Sequence, residues 1–366
     1  MSKYLVKLTP TGKFFFGGDM RFGINGEKEE FTSYIIESSK MPQQTSLLGM
    51  MRFLLLSNSE LFDTAANAIS GKKADVDKLI GEKSFTVNAD KSANSFGEIA
   101  SVGPCFVYCK KNGARYFRAP ADHLFTTIDW EQTVPTVING KSVMLPQLKV
   151  WDKEKNEEKL FTGKEYLAPY FAAPFSKGCE PIEEEKLFTE DRRIGIEKDY
   201  EGKSKTNALY KQISYRLAEG YCFAFEVETE HDISEKKYRN QLVSLGADSS
   251  TFVFEAEKIE TASQASSKDG TAVVLLSDAY IPETPEYSFA INSMRTFRFL
   301  ETVNTKDASY HRINGKNKPT VSTRYELYEA GSVFYFENAE TREKFCKALE
   351  ERQDFNQIGY NRYYIK

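Results

Sequence analysis

The sequence predicts an α+β protein built from two ferredoxin-like units with β-hairpin insertions, and three observations predict it. Short runs that alternate apolar and polar residues, the period of half-buried strands, recur along the chain. A helical apolar pattern separates such runs once near each end, from Met41 to Leu56 and from about Glu340 to Arg352. At 366 residues the chain is long enough for about two domains.

Lys3 to Leu8 alternates as a first strand. A glycine-broken aromatic loop follows, Phe14-Phe15-Phe16-Gly17-Gly18-Asp19-Met20-Arg21-Phe22-Gly23. Met41-Pro42-Gln43-Gln44-Thr45-Ser46 then opens a helix, with Pro42 expected at the first helical position. Leu47, Met51, Leu54 and Leu55 repeat at helical spacing, and Leu48, Met50, Phe53 and Leu56 fill the flanks, so the helix is expected to be buried on most sides. Its uncharged first turn offers free N–H groups with short hydroxyl and amide side chains, which is either an ordinary cap or a seat for a phosphate. Glu60 to Gly81 reads as a second helical stretch with Leu61, Ala65, Ala68 and Ile69 as its apolar face. Between Lys83 and Gln147 the pattern turns to hairpins and irregular excursions, with strands at Ser84 to Asn88, Pro104 to Lys110 and Tyr116 to Ala119.

The charged, turn-rich run from Trp151 to Lys164 reads as a connector, which divides the chain into domains 1–150 and 151–366. Arg192 to Lys198 and Leu209 to Leu217 face each other as a hairpin around a basic loop with Gly202, Lys203 and Lys205. In the second run Leu209, Ile213 and Leu217 share one face, and Tyr210, Gln212, Ser214 and Arg216 share the other. That second face is either a solvated sheet surface or a set of groups suited to RNA sugar, phosphate and base edges. Cys222 to Thr229 is a strand. Ser234 is expected to cap a helix aligned on Tyr238, Leu242 and Leu245 and stopped by Gly246. Strands follow at Thr251 to Lys258, Thr271 to Asp278, Met294 to Val303 and Gly331 to Glu337, then the second clear helix, then an aromatic tail strand reached through Gly359. Strand, helix and strand in this order fit one ferredoxin-type unit in each half.

Composition narrows the chemistry. Apolar residues make up 40% and charged residues 28%, which describes a soluble globular chain with a core. No apolar run approaches the roughly 20 residues of a membrane span, and the N-terminus lacks a signal-peptide core, so a cytoplasmic protein with no membrane contact is expected. The five cysteines, Cys105, Cys109, Cys179, Cys222 and Cys346, are odd in number and scattered, which argues against a disulfide framework. Cys105, Cys109 and His123 lack a fourth ligand for zinc, so no metal is expected. The net charge of −4 means that RNA could be bound only through local basic patches, or by a subunit of a larger assembly. The 20 tyrosines and 27 phenylalanines either pack sheets and core or stack on bases. Phosphate-cradling, dinucleotide, zinc-protease and hydrolase motifs are all missing, so no cofactor is expected. Gly17-Gly18-Asp19 lacks the second carboxylate that a two-metal site needs. None of the three histidines, His123, His231 and His311, sits in a recognisable catalytic setting.

Four stretches point to a family. They are the Phe-Phe-Gly-Gly loop, Met41-Pro42-Gln43-Gln44-Thr45-Ser46-Leu47-Leu48-Gly49 with Arg52, Arg192-Arg193-Ile194-Gly195-Ile196 with Leu209-Tyr210, and Ala330-Gly331-Ser332-Val333-Phe334-Tyr335-Phe336-Glu337. In this order and spacing the chain resembles the Cmr-three family of type III-B CRISPR effector subunits, RAMP proteins related to the Cas-five group. The resemblance covers nearly the whole chain. It implies an N-terminal ferredoxin-like (RRM-like) RAMP domain at 1–150 with an irregular insertion, and a C-terminal one at 151–366 with a β-hairpin. It also implies a non-catalytic subunit in antiviral defence that recognises the repeat-derived 5′ tag of the crRNA. Its partners would then be the large cyclase/polymerase-like Cmr subunit and the first backbone subunit, with target RNA met indirectly. Such proteins bend the guide with a hairpin "thumb", for which the Lys83 to Gln147 region and the Arg192 to Leu217 hairpin are the two candidates. The chain departs from the family at Leu245-Gly246-Ala247-Asp248-Ser249-Ser250, where a basic turn is common.

The residues fit this placement. Gly17 and Gly18 let backbone amides approach phosphates. Gln43, Gln44, Thr45 and Ser46 add a helix start. Lys13, Arg21, Arg52, Arg192, Arg193 and Arg216 supply charge, Phe15 and Tyr210 supply rings, and Gln212 and Ser214 supply polar contacts. These are the expected RNA-binding residues. The alternative is a metal-independent endoribonuclease that processes CRISPR precursor RNA, with His123 or His311 drafted beside a tyrosine or lysine.

Overall fold

The computed structural model describes residues 1–18, 20–25, 30–138, 141–152, 155–163, 168–198, 200–260, 270–283, 285–301 and 320–366. Among them strands far outnumber helices, and the fold is a mixed, strand-rich α+β arrangement. Asp19, His311, Arg312, Lys316 and Lys318 lie outside the described residues.

A nine-stranded antiparallel sheet forms the body. Its order is Ile182–Glu183, Tyr170–Ala172, Arg115–Arg118, Phe106–Cys109, Tyr221–Thr229, Ser2–Pro10, Thr251–Ile259 and Gln241–Ser244, with Ile99–Val102 also pairing on Tyr221–Thr229. Alternation sorts its side chains. Tyr4, Val6, Leu8, Phe223, Phe225, Phe252 and Phe254 join one core with the helix Gln44–Ser57, while Leu5, Phe106, Phe117 and Ala224 line the opposite face. The sheet takes strands from both sides of the expected division at residue 150. The expected connector is itself paired: Glu157–Leu160 runs antiparallel to the end of Lys141–Asp152, which pairs with Phe125–Ile138.

The C-terminal sheet has the order Phe289–Ile291, Val333–Tyr335, Ala272–Leu275 and Tyr363–Ile365. The helix Ala339–Glu351 packs Phe345 and Leu349 on Val273, Leu275 and Phe334. Its cap is Asn338, whose side chain accepts the Thr341 amide at 2.9 Å. A third sheet joins Phe188–Lys198, Ser204–Leu217, Glu30–Glu37 and Met20–Asn25, the middle pair being parallel.

Several expectations need correction. The first helix starts at Gln44 with Gln43 as its cap residue, so Pro42 stands before the cap and not at the first helical position. The second helix covers only Lys73–Ile80. Upstream of it the Asp63 carboxylate accepts the amides of Ala65 and Ala66 at 2.9 and 3.0 Å, a local turn that competes with helix. No helix follows Ser234. Asp232 captures the Ser234 amide and hydroxyl, and Gln241–Ser244 becomes an edge strand with Leu242 outward and Val243 buried. There the ladder available on Thr251–Ile259 outweighs a helical spacing of three residues. Ser84 to Asn88 forms no strand. The run from Met294 is a strand to Phe297, then another at Leu300–Glu301, and its end lies outside the described residues.

Candidate nucleic-acid interface

The glycine loop is bonded into the body residue by residue. Phe14 exchanges two backbone bonds with Tyr215, N–H to O at 2.8 Å and back at 3.1 Å. Its ring is buried, stacked on Phe16 at 4.6 Å and edge-on to Phe223 at 5.1 Å. The Phe15 amide donates to Ser250 Oγ at 2.8 Å, and the Phe15 carbonyl accepts the Ala247 amide at 2.7 Å. The Phe16 amide donates to Ser38 Oγ at 2.9 Å, and the Gly17 carbonyl accepts the Ser39 amide at 2.6 Å. The amides of Gly17 and Gly18 find no acceptor among the described residues. Gly17 holds a φ of +79°, with open space where a Cβ would stand. Gly18 is exposed, yet a Cβ there would lie 1.8 Å from the Glu37 carbonyl oxygen. Both glycines therefore answer to backbone geometry, and they leave two backbone donors without an acceptor among the described residues.

The hairpin supplies the charge. Register places Thr189, Asp191, Arg193 and Gly195 opposite Arg216, Ser214, Gln212 and Tyr210 on one face. Asp191 gathers three cations: Arg216 at 3.0 Å, Lys13 at 3.5 Å and Arg193 at 3.9 Å. The Arg216 hydrogen bond, helped by Lys13, holds the Asp191 carboxyl below its ordinary pKa. Gln212 donates to the Asp248 carboxylate, which ties the 246–250 turn to this face. Lys13, Arg193 and Arg216 thus stand against Asp191 and Asp248, a surplus of one positive charge beside the two free amides.

Several expected contacts do other work. Phe15 is only 7% exposed and its backbone is paired, so it packs and has no free ring face for a base. Gln44 is buried: its side chain donates to the carbonyls of Gly103 and Ile358 at 2.7 and 2.6 Å and accepts the Cys105 amide at 3.1 Å. The C-terminal segment thereby covers the start of the helix. Burial raises the Tyr360 hydroxyl pKa, and the Arg295 charge, with a smaller part from the Gln44 backbone amide, opposes that rise. Only Ser46 of this turn is exposed, with Gln43 and Thr45 half-buried. Arg52 is buried and donates to the carbonyls of Ile80 and Gly81 at 2.7 and 3.2 Å, closing the end of the Lys73–Ile80 helix. Arg192 lies on the opposite hairpin face from Arg193 and pairs with Glu190 at 2.5 Å. Ser214 is 1% exposed and so cannot lie on an open polar surface; Asp191 stands directly opposite it in the ladder. Tyr210 lies across the strand from Gly195, whose missing Cβ would sit 2.2 Å from its ring. Arg21 is described by its strand position alone, opposite Ile35.

Asp191, Ser38 and Ser250 were not foreseen. No local pattern marks them, because Ser250 meets Phe15 across 235 residues. His123 faces the Tyr170 ring at 5.4 Å, and His231 Nδ1 lies 3.0 Å from Glu98. No cluster of metal-ligating side chains occurs among the described residues, and no described helix is long and apolar enough to cross a membrane.

A family model described as "CRISPR-associated protein (Cas_Cmr3)" matches residues 6–366. No curated protein shows significant sequence similarity to the chain. Among solved structures, a chain of a type III-B Cmr-beta complex bound to cognate target RNA and AMPPnP is 14% identical. That match covers 99% of this chain and 95% of that one at a TM-score of 0.47. A chain of a Csm3–Csm4 subcomplex of the type III-A interference complex is 12% identical, covering 91% and 92% at a TM-score of 0.34.

Proposed function

The chain belongs to the Cas_Cmr3 family of CRISPR-associated proteins, and from that premise we propose that it is a non-catalytic RNA-binding subunit of a type III-B effector complex. It holds the 5′ repeat-derived tag of the crRNA and bridges the large cyclase/polymerase-like subunit to the first backbone subunit. The observation that carries this reading is that the Gly17 and Gly18 amides find no acceptor among the described residues, in the loop that also carries Lys13 of the Arg193 and Arg216 cluster. Unpaired amides and guanidinium groups are what a phosphate backbone needs. The net charge of −4 fits a subunit that meets RNA inside an assembly.

The hairpin Phe188 to Leu217 is the better of the two thumb candidates. At its tip Tyr200 is 98% exposed and at mid-strand Ile194 is 75% exposed, apolar groups able to wedge between bases, while Arg193 stands beside Ile194 and Arg216 nearer the root. Strand order supports two ferredoxin-like units. In chain order, Ser2–Pro10, Phe106–Cys109, Tyr221–Thr229 and Thr251–Ile259 lie fourth-first-third-second, and Ala272–Leu275, Phe289–Ile291, Val333–Tyr335 and Tyr363–Ile365 do the same. Among the described residues, His123 and His231 meet tyrosine rings and Glu98 away from the glycine loop, which supports a binding role over cleavage, while His311 lies outside them.

The test is photo-crosslinking of tag nucleotides in the reconstituted complex. Crosslinks to residues 13–18 and to the hairpin are expected. If a scrambled tag leaves both assembly and crosslinking unchanged, tag recognition is lost as an explanation. Repeat RNA incubated with the purified chain in EDTA should stay intact; cleavage abolished by His123→Ala would establish the nuclease instead.

A further inference from the structure

A cleft of about 410 Å³ opens where the C-terminal sheet leans on the nine-stranded sheet, on the face opposite the glycine loop. Its origin lies in strand alternation. Lys3 and Leu5, Arg115 and Phe117, and Ala224, Glu226 and Glu228 all project from this face. Leu276 of the C-terminal sheet covers the apolar part, against Leu5, Phe106 and Phe117, and leaves the charged part open.

The floor is aromatic and the rim is ionic. Phe175 stands edge-on to Phe117 at 6.1 Å and to Tyr364 at 5.8 Å, and both Phe175 and Tyr364 are half-buried at the wall. The Arg115 guanidinium lies over the Phe106 ring at 5.2 Å and pairs with Glu226 at 2.6 Å. Glu226 also takes Lys3 at 2.7 Å; burial works against its carboxylate, yet these two cations hold its pKa below the usual value. Arg362 is different. It donates to the Asn356 carbonyl at 3.1 Å and forms no ion pair among the described residues. Lys3, Arg115 and Arg362 against Glu226 and Glu228 leave one positive charge over.

We infer that this cleft binds a nucleoside monophosphate unit. The Phe175 and Tyr364 wall takes the base, the Arg362 guanidinium takes the phosphate, and the Glu228 carboxylate, steadied by Ser101 Oγ at 3.3 Å, takes the sugar hydroxyls. The volume lies within the range of small-molecule sites, and a few fixed polar groups over an aromatic floor is their usual build. Arginine matches the phosphate by its planar fork, and a carboxylate on ribose hydroxyls is a recurrent pairing. The nucleotide is either free or the end of a single strand of RNA. The site shares no residue with the loop and hairpin, so it stands or falls separately from tag recognition.

Isothermal titration of the full chain with AMP tests it, with inorganic phosphate as the control. One saturable site is expected at roughly ten to a hundred micromolar, the strength a ligand of this size reaches, with phosphate at least about tenfold weaker. Arg362→Ala should weaken AMP binding about tenfold or more, as loss of a charge-assisted bond does, and Arg362→Lys should recover part of it. Phe175→Leu should weaken AMP binding about fivefold, as loss of one stacking face does. If circular dichroism shows Arg362→Ala unfolded, Arg362→Lys and Phe175→Leu carry the test. Absence of a saturable signal into the millimolar range, or AMP binding indifferent to the folded variants, overturns the inference. Displacement of AMP by a 5′-phosphorylated single-stranded tetranucleotide assigns the site to an RNA end. AMP binding without displacement assigns it to free nucleotide, and either result upholds the site.

Discussion

Two long hairpins leave the body of this protein, and they differ in what anchors them and in what they carry. Residues 188–217 hold seven lysines and arginines against five carboxylates, whereas residues 125–160 hold five against six. The first hairpin is tied by backbone to the glycine loop through Phe14 and Tyr215, by side chain to the 246–250 turn, and by a parallel ladder to Glu30–Glu37. The second belongs to a separate three-stranded sheet and touches the C-terminal sheet through Trp130, 5.2 Å from Tyr335 and 5.5 Å from Phe289. The same element is thus put to two uses. Surplus charge beside free amides suits a polyanion, while a near-neutral ladder anchored by an aromatic ring suits packing against protein.

The sharpest way to break this contrast is to remove the cations. Replacing Lys13, Arg193 and Arg216 together with Ala should cut RNA affinity about a hundredfold at physiological salt and flatten the salt dependence. The same change at Lys149 and Lys159 should alter affinity by less than about twofold. Filter binding across a salt series decides it, and equal losses from both hairpins would erase the distinction. Next in size is the glycine pair. Gly18→Ala drives a Cβ into the Glu37 carbonyl and should cost about 2 kcal/mol, while Gly17→Ala meets open space and should cost about 1 kcal/mol for its positive φ. Thermal unfolding of the two variants should preserve that order. Trp130→Ala should destabilise by about 1–2 kcal/mol, because half of a large ring is lost from the contact, and should leave RNA binding unchanged. Asp248→Lys adds charge where the resemblance leads one to expect a basic turn and should tighten RNA binding several-fold, on the order of one extra phosphate contact; a weaker complex would show that the turn faces away from RNA.

The smallest effect is one of pH. Asp191 has a folded pKa below its ordinary 3.8, chiefly through Arg216. A depressed carboxylate contributes stability that is present above the unfolded pKa and is lost as pH falls through the folded one. Asp191→Asn should therefore be less stable than the parent at neutral pH, with the gap closing as pH drops below 3.8. The same variant frees three cations and should bind RNA more tightly at pH 7. Unfolding curves at several pH values, with RNA titration at pH 7, separate the two outcomes.

Much of the fold was legible. The apolar repeat of Leu47, Met51, Leu54 and Leu55 marked the first helix, and Phe345 with Leu349 marked the helix Ala339–Glu351. The alternation from Leu209 to Leu217 marked the hairpin strand and its polar face. The edge strand Gln241–Ser244 was not legible, because Tyr238, Leu242 and Leu245 also fit helical spacing and only the neighbouring strand decides between them. The candidate site was legible in part. Its glycines and hairpin cations stood out as residue types. That Gln44 clamps Gly103 and Ile358, and that Arg52 closes a neighbouring helix, could not be read from a helix surface pattern.

The amino-acid sequence by itself determined the strand-rich α+β character, the two principal helices, the exposed basic hairpin and the family. The first three follow from local period and composition, which each segment carries within itself; the family rests on the resemblance carried by four motifs in their order along the chain. The tertiary structure alone decided which polar groups are free and which are spent. A guanidinium, an amide or a serine hydroxyl has the same sequence signature in either role. Only the partner that folding brings to it, 59 residues away for Gln44 and Gly103 or 235 for Phe15 and Ser250, settles whether it faces solvent.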